Sequence, residues 1–417
     1  MKKILILTVT AGNAHNACAL GMKRELERSG NAQVKIVDLL KSCSTKLNAW
    51  IAESGYCLAV SKFPKLYNAF YRRYRKADPN KRYSCPAQGT ALSTVNDLLQ
   101  EILNFQPDVV YCTHFYGAIA LTDLKLVYSL PCKVIATSLD YVNSPFWEAG
   151  IGVDYLTLPN EDFIDTYLNL GYAREQLLPC GIPVDTRTLL PADKAAARKI
   201  LGLGENLFTV AVMFGGGSWS GGYKIFKRLV KALKGRSAQI VMINGKDVKS
   251  FKRVQKMKPA DGIKVLNVGF TENVPLYLSA ADVAVNKCGG GCSTENLNLA
   301  LPMLITEKLA AQEKYNLDYL KQRGAALSFK NKRELKAQII RLMEDFELRS
   351  KMSRCALSLR TNGAAELAAF MLSQPSADYS EFLYSHIGYE DHLNVKKAVR
   401  DALKKADKGE RRRTKGK

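Results

Sequence analysis

Short apolar, β-branched runs punctuate the chain, and the stretches between them carry helical periodicity. In the first half these runs fall at residues 3–9, 33–37, 108–112, 133–137 and 155–158, which read as buried parallel strands. Amphipathic patterns predict helices over 16–28 and 92–105. The second half repeats the scheme, with runs at 208–213, 239–243, 264–268, 283–286 and 303–306 and helices over 223–233, 274–280 and 332–346. Two βα arrays in tandem predict an α/β chain with two Rossmann-like domains. Pro183, Pro191, Gly202 and Gly204 interrupt the pattern, so the join falls between 183 and 205. The division expected is 1–190, 191–375 and a return segment with a basic tail over 376–417. No solenoid repeat is present.

Length and charge narrow the picture. A chain of 417 residues can form two cores. No run of 18 apolar residues offers a membrane-spanning helix. Met1-Lys2-Lys3 followed by ILILTVT imitates an export signal, but the run is short and passes into a charged helical pattern, so it reads as a strand. Ten cysteines without metal-ligand spacing suit a reduced cytosol. The net charge of +22 asks for an anionic partner: lipid, nucleotide phosphate or nucleic acid. Two clusters stand out, Arg72-Arg73-Tyr74-Arg75-Lys76 and the tail after Lys396, whose tip is expected to be disordered because it has no apolar period.

The densest chemistry lies at 281–320. A strand ending at Asn286 leads into Lys287-Cys288-Gly289-Gly290-Gly291-Cys292-Ser293, with a helix expected to open near Ser293 or Thr294. Free backbone N–H groups and the helix dipole there make an anion site, although a glycine turn can also be a mere connection. Glu295, expected in the first helical turn, could accept from a ribose diol. Gln312, Glu313 and Asn316 follow, with Gln312 and Asn316 on one helical face. Phe214 to Gly222 contains a second glycine loop, Gly215-Gly216-Gly217-Ser218. It lacks the dinucleotide fingerprint and reads as a phosphate loop, with a linker as the alternative.

Taken in order, Lys287, Gly289, Gly291 and Glu295, then Leu301-Pro302, then Gln312, Glu313 and Asn316 resemble the donor-binding segment of glycosyltransferase family 28. That family includes monogalactosyl- and glucosyl-diacylglycerol synthases and the peptidoglycan enzyme that makes lipid II. Its pattern is K-x-G-x-G-x-x-x-E, G-L-P, Q-E-x-x-N, with Ala300 standing here for the glycine before Leu-Pro. Asp140-Tyr141, Trp147, Val153-Asp154-Tyr155 and Gly181-Ile182-Pro183 continue the family order. Gly269-Phe270-Thr271-Glu272-Asn273 matches the loop that holds the nucleotide base, so Phe270 joins the donor set. Ser144 replaces a usual histidine and Leu139 a usual threonine, both on the acceptor side.

The resemblance implies a GT-B fold, two Rossmann-like domains facing a cleft. It implies an inverting, metal-independent transfer of a hexose from a UDP-sugar to a diacylglycerol-type lipid at the inner face of the cell membrane. No cofactor is expected, and Gly289, Gly290 and Gly291 would stabilise the diphosphate. His15, one of four histidines, follows the first strand; a loop histidine is often only solvated, but imidazole suits taking an alcohol proton. The family carries G-x-G-H in this loop, of which Gly12 and His15 remain, and the resemblance makes His15 the base. Asp140, Tyr141 and Trp147 would serve the acceptor, and Arg72, Arg73, Arg75 and Lys76 an anionic membrane surface. The aromatic residues over 41–95, such as Trp50, Tyr56 and Tyr83, fit either a bilayer headgroup level or a helix core. Transfer of N-acetylglucosamine to a polyprenyl-linked acceptor, or a non-catalytic membrane- or nucleic-acid-binding relative, are the alternatives. No recognised nucleic-acid module is present.

Overall fold

The computed structural model describes residues 1–10, 13–45, 63–74, 85, 87–142, 144, 146–190, 192–214, 221–258, 261–309, 311–382 and 395–415. The chain forms two compact units: Met1–Pro183 with Gly363–Lys417, and Val184–Asn362. Each is built on a parallel six-stranded sheet with the helices as crossovers.

In the first unit β1 (Lys2–Thr8), β2 (Ala32–Asp38), β3 (Val109–Cys112), β4 (Lys133–Thr137), β5 (Tyr155–Thr157) and β6 (Leu177–Leu178) lie in the order β2-β1-β3-β4-β5-β6. Ile4 pairs with both Val34 and Val109, so β1 is central and bonded on both edges. Its Ile4, Leu5 and Ile6 are fully buried, as a strand covered on both faces must be. Helices α1 (Asn13–Arg28), α2 (Pro64–Tyr74), α3 (Gln88–Leu92), α4 (Val95–Phe105) and α5 (Phe115–Leu124) belong to this unit. The helix expected over 92–105 is broken at Ser93-Thr94. Val95, Leu98, Leu99 and Ile102 then bury one face at 3.6-residue spacing.

In the second unit β7 (Phe208–Met213), β8 (Ala238–Ile243), β9 (Ile263–Val268), β10 (Val283–Asn286), β11 (Met303–Thr306) and β12 (Ala326–Phe329) lie in the order β12-β11-β10-β7-β8-β9. Its helices include α6 (Gly222–Leu233), α7 (Val248–Gln255), α8 (Val274–Ser279), α9 (Gly290–Asn298) and α10 (Ala311–Gln322). Phe226 is fully buried in the core between α6 and the sheet. Phe226→Ala is expected to lower stability by about 3–5 kcal/mol, read as a reduced urea midpoint.

The first crossing between units, at 183/184, falls at the start of the expected 183–205 window though ahead of the 190/191 division, and the second, at 362/363, comes before 375/376. The turn after Pro183 is held by the second unit: Arg187 Nη2 donates to the Glu272 carbonyl at 2.5 Å and Asn298 Nδ2 to Thr188 Oγ1 at 3.2 Å. The return begins at α11 (Gly363–Ser373), whose Ala364, Leu367, Ala368 and Met371 are buried and which packs on α1. A Cβ on Gly363 would lie 2.6 Å from the Gly181 carbonyl oxygen. Gly363→Ala is therefore expected to cost about 1–3 kcal/mol, measured by thermal unfolding. Asp108 anchors the segment after α11, accepting from Lys3 N at 2.8 Å and Ala377 N at 2.9 Å.

The tail also departs from expectation. It forms α12 (Val395–Lys415), with Val395, Val399 and Leu403 buried at i, i+4 and i+8 against α3, α4 and α5. That short apolar stripe lies upstream of the arginine run and supplies the anchor. Among the described residues no helix is long and apolar enough to cross a membrane, and the nine described cysteines form no disulfide.

Candidate functional site

Strand order locates the sites before any side chain is considered. In an open parallel sheet, ligands bind beyond the carboxyl ends of the strands where the order reverses. The reversal lies between β1 and β3 in the first unit and between β7 and β10 in the second. The loops that matter are those after β1, β3, β7 and β10.

After β10 the chain makes the expected glycine turn, but α9 opens at Gly290, not at Ser293 or Thr294. Glu295 consequently stands in the second helical turn rather than the first. Gly289 is the N-cap, extended at φ −77°, and no side chain caps the helix. Ser293 N bonds the Gly289 carbonyl at 2.9 Å, which leaves the first-turn N–H groups of Gly290, Gly291 and Cys292 as the helix's anion-directed donors. At Gly291 a Cβ would meet nothing within 4 Å, so open space adjoins the backbone there.

The helix after β11 braces this turn. Glu313 Oε1 accepts from Lys287 Nζ at 2.8 Å, and Asn316 Nδ2 donates to the Cys288 carbonyl at 2.9 Å. Asn316, expected among the donor-binding residues, is fully buried and supports the turn from beneath. Gln312 and Glu313 are partly buried on the same helix.

Glu295 is partly buried, and none of the described residues' hydrogen bonds reaches its carboxylate. Its pKa is raised to about 7, first by burial and second by the Asp185 carboxylate. Asp185 is itself paired with Arg187 at 2.5 Å. Phe270 follows β9, two strands beyond β7, and is 65% exposed with Lys246 Nζ 5.8 Å from its ring centre. At about 4.8 Å per strand, β9 and β10 lie roughly 14 Å apart, a span that a nucleoside diphosphate can bridge. Gly215, Gly216, Gly217 and Ser218 lie outside the described residues. The flanking Phe214 is buried, and Gly222 opens α6 against it.

In the first unit α1 opens at Asn13, which puts His15 in its first turn. His15 Nδ1 lies 2.5 Å from the Thr113 carbonyl oxygen. A carbonyl only accepts, so Nδ1 carries the proton and Nε2 keeps its lone pair. Burial holds the His15 pKa down at about 4, opposed by the Thr113 carbonyl. The β1 loop is pinned by Asn16, whose Oδ1 accepts from Thr8 Oγ1 at 2.8 Å and whose Nδ2 donates to Thr10 Oγ1 at 3.1 Å. Thr10 N in turn donates to Asp38 Oδ2 at 3.2 Å.

The structure adds a residue that sequence reasoning missed. His114, directly after β3, caps α5 by accepting from Tyr116 N at 3.1 Å through Nδ1. Its proton therefore sits on Nε2. Its ring meets His15 edge-on, with centroids 4.5 Å apart at 67°. Burial, then the neighbouring His15, depresses its pKa well below normal. The usable signal was its position at the end of a buried strand. His114→Asn keeps a capping side chain but admits water to His15. Its pKa is then expected to rise toward the ordinary value, moving the acid limb of the pH–rate profile upward.

Asp140 is partly buried in the bend after β4, whereas Tyr141 and Trp147 are each 4% exposed. Trp147 meets Phe115 at 6.4 Å, and its carbonyl accepts from Tyr172 Oη at 2.8 Å. The Phe115 ring centre in turn lies 4.0 Å from that of His114, so Trp147 backs the histidines at one remove, whereas Tyr141 packs on Phe163 at 6.4 Å. Both rings are too buried to present a surface to a lipid bilayer. Arg72 and Arg73 are exposed on α2, alongside exposed Phe63, Leu66 and Phe70, while Tyr71 is buried. Arg75 and Lys76 lie outside the described residues, as do Trp50, Tyr56 and Tyr83.

Two family models divide the chain between them: monogalactosyldiacylglycerol (MGDG) synthase over residues 14–184, and the glycosyltransferase family 28 C-terminal domain over 211–369. The chain belongs to glycosyltransferase family 28. Among curated relatives of this family 28 chain, a processive diacylglycerol beta-glucosyltransferase of Staphylococcus saprophyticus is 24% identical over 327 residues, covering 78% of this chain and 80% of the relative. Its counterpart in Staphylococcus aureus is 24% identical over 328 residues, with the same coverage of each chain. The fold is GT-B. Acinetobacter baumannii MurG shares it at a TM-score of 0.55 and 13% identity, covering 89% of this chain and 99% of that one. SnogD from Streptomyces nogalater does so at 0.57 and 14%, with the same coverage.

Proposed function

We propose that this family 28 glycosyltransferase moves a hexose from a UDP-sugar to a diacylglycerol-type lipid, with inversion, at the cytoplasmic face of the membrane. The observation that carries this reading is His15, held in one tautomer with Nε2 as an acceptor at the switch point of the first sheet. Both family models and the names of the diacylglycerol glucosyltransferase relatives support the acceptor class.

In this reading the lipid hydroxyl oxygen attacks the anomeric carbon while its proton passes to His15 Nε2. The bond from that carbon to the diphosphate oxygen breaks, and UDP leaves with the electron pair. Attack opposite the leaving group inverts the centre. The first-turn N–H groups of α9 and the Lys287 ammonium offset the charge that develops on UDP. Glu295 accepts from the ribose hydroxyls, and Phe270 offers a face to the base. The exposed apolar residues and arginines of α2 suit a headgroup layer.

A donor panel tests the reading. UDP-glucose, UDP-galactose, UDP-glucuronate and UDP-N-acetylglucosamine, each radiolabelled, are incubated with diacylglycerol or with a polyprenyl-linked acceptor. Label is expected in diacylglycerol glycolipid with one hexose donor preferred. Label only in polyprenyl product, or in no lipid, overturns it.

A further inference from the structure

The charge that most needs a partner is not in the two clusters that the sequence displays. Residues 222–258 hold twelve Lys and Arg side chains and one carboxylate, Asp247, which is half of the chain's net +22. That carboxylate is already engaged, accepting from Ser250 N at 2.9 Å as the N-cap of α7. The fold gathers the cations onto one face. α6 and α7 are successive crossovers from β7 to β8 and from β8 to β9. Two right-handed crossovers running in one direction put both helices on the same side of the sheet. They touch, and the Arg253 guanidinium lies 5.7 Å from the Tyr223 ring centre.

Each helix turns a stripe of cations outward. On α6, Lys224, Lys227 and Lys231 are exposed at i, i+3 and i+7, and Lys234 continues the row beyond its end. On α7, Lys249, Lys252 and Arg253 are exposed, with Lys256 one position after the last turn. Among the described residues none of these eight takes part in an ion pair. The nearby exception is Arg236, which meets Glu344 at 2.6 Å. Solvated helix faces ordinarily mix signs, and like charges four apart weaken a helix. Lys227 with Lys231 and Lys249 with Arg253 are such pairs, and an anionic partner relieves their repulsion.

We propose that the paired faces of α6 and α7 form a docking surface for an anionic phospholipid bilayer, separate from the nucleotide site of the same unit. The broad shape fits a flat polyanion: two helices about 10 Å apart, roughly 18 and 12 Å long. Lysine outnumbers arginine nine to three over 222–258, which suits diffuse attraction to a charged surface better than bidentate phosphate reading. No exposed aromatic ring stands among the stripe residues to stack on a base, whereas Val248, at the start of α7, is 58% exposed and apolar. The choice of lipid over other polyanions rests on the lipid acceptor proposed above.

The test is co-sedimentation of the full chain with phosphatidylcholine vesicles, with or without about one third phosphatidylglycerol. The parent protein is expected to bind the anionic vesicles at least tenfold more tightly, and to release them as salt rises. Reversing four exposed charges together (K227E, K231E, K252E and K256E) should weaken that binding at least about a hundredfold. The matching Lys→Gln set should fall between, with unchanged circular dichroism in both. Activity on detergent-dispersed acceptor should be unaltered in both. Undiminished vesicle binding by the reversed variant, or tighter binding of duplex or single-stranded DNA than of anionic vesicles by the parent, overturns the proposal. Loss of turnover by the parent in detergent, with vesicle binding intact, counts against the enzymatic reading and leaves the docking surface standing.

Discussion

Replacing His15 with alanine is expected to lower kcat roughly a hundredfold to ten-thousandfold while leaving the affinity for UDP near that of the parent. The split matters because His15 and the donor-site residues belong to different units. A base that acts on the acceptor should change the chemical step without changing how the nucleotide is held. The pH profile sharpens the test. With the pKa held down at about 4, the imidazole is neutral and its Nε2 available throughout the neutral range. Activity that depends on it should fall only as pH drops through about 4. With kcat measured at saturating donor, so that protonation of Glu295 near pH 7 does not enter through donor binding, an acid limb near the ordinary histidine value in the parent would contradict the depressed His15 pKa. Steady-state kinetics of His15→Ala, with UDP affinity measured separately, decides the point.

Replacing Glu295 with alanine should raise the dissociation constant for UDP by roughly tenfold to a hundredfold, because hydrogen bonds to a charged group contribute about 1.5–3 kcal/mol. Isothermal calorimetry reads this directly. The same residue predicts a stability effect of opposite sign. Its folded-state pKa is raised to about 7, above the ordinary carboxylate value, by burial and then by Asp185. Between the two values the folded protein holds a proton that the unfolded chain has released. The group's contribution to stability is therefore present at low pH and is lost as pH rises through about 7. Glu295→Gln should then unfold at a higher temperature than the parent at pH 8, with little difference at pH 5. A variant less stable at pH 8 would mean that the carboxylate is held by a favourable partner.

Much of this was legible in the sequence because parallel strands buried on both faces write themselves as apolar runs. The runs at 283–286 and 303–306 coincide with β10 and β11. The family pattern also carried three-dimensional information: Lys287 and Glu313, far apart in the chain, form an ion pair. Other features could not be read in this way. Glycines are poor helix formers, so the start of α9 was placed after Gly289 to Gly291, when Gly290 and Gly291 are its first residues. The early return at Gly363 depends on a close approach to the Gly181 carbonyl, which no local pattern announces. β6 is only two residues long, too short to show a period. Nothing local marks His114 beyond its place at the end of a strand, and only the pairing of β1 with β3 brings it against His15. The cations of α6 and α7 were hidden by helical spacing, since each helix alone resembles an ordinary solvated face.

The most direct measurement is proton NMR of a turnover mixture containing the preferred α-linked UDP-hexose, diacylglycerol and the full chain. One equivalent of free UDP and a β-linked glycolipid should appear together at equal rates. An α-linked product, or UDP release with free sugar and no lipid product, would contradict in-line attack by a lipid hydroxyl activated at His15.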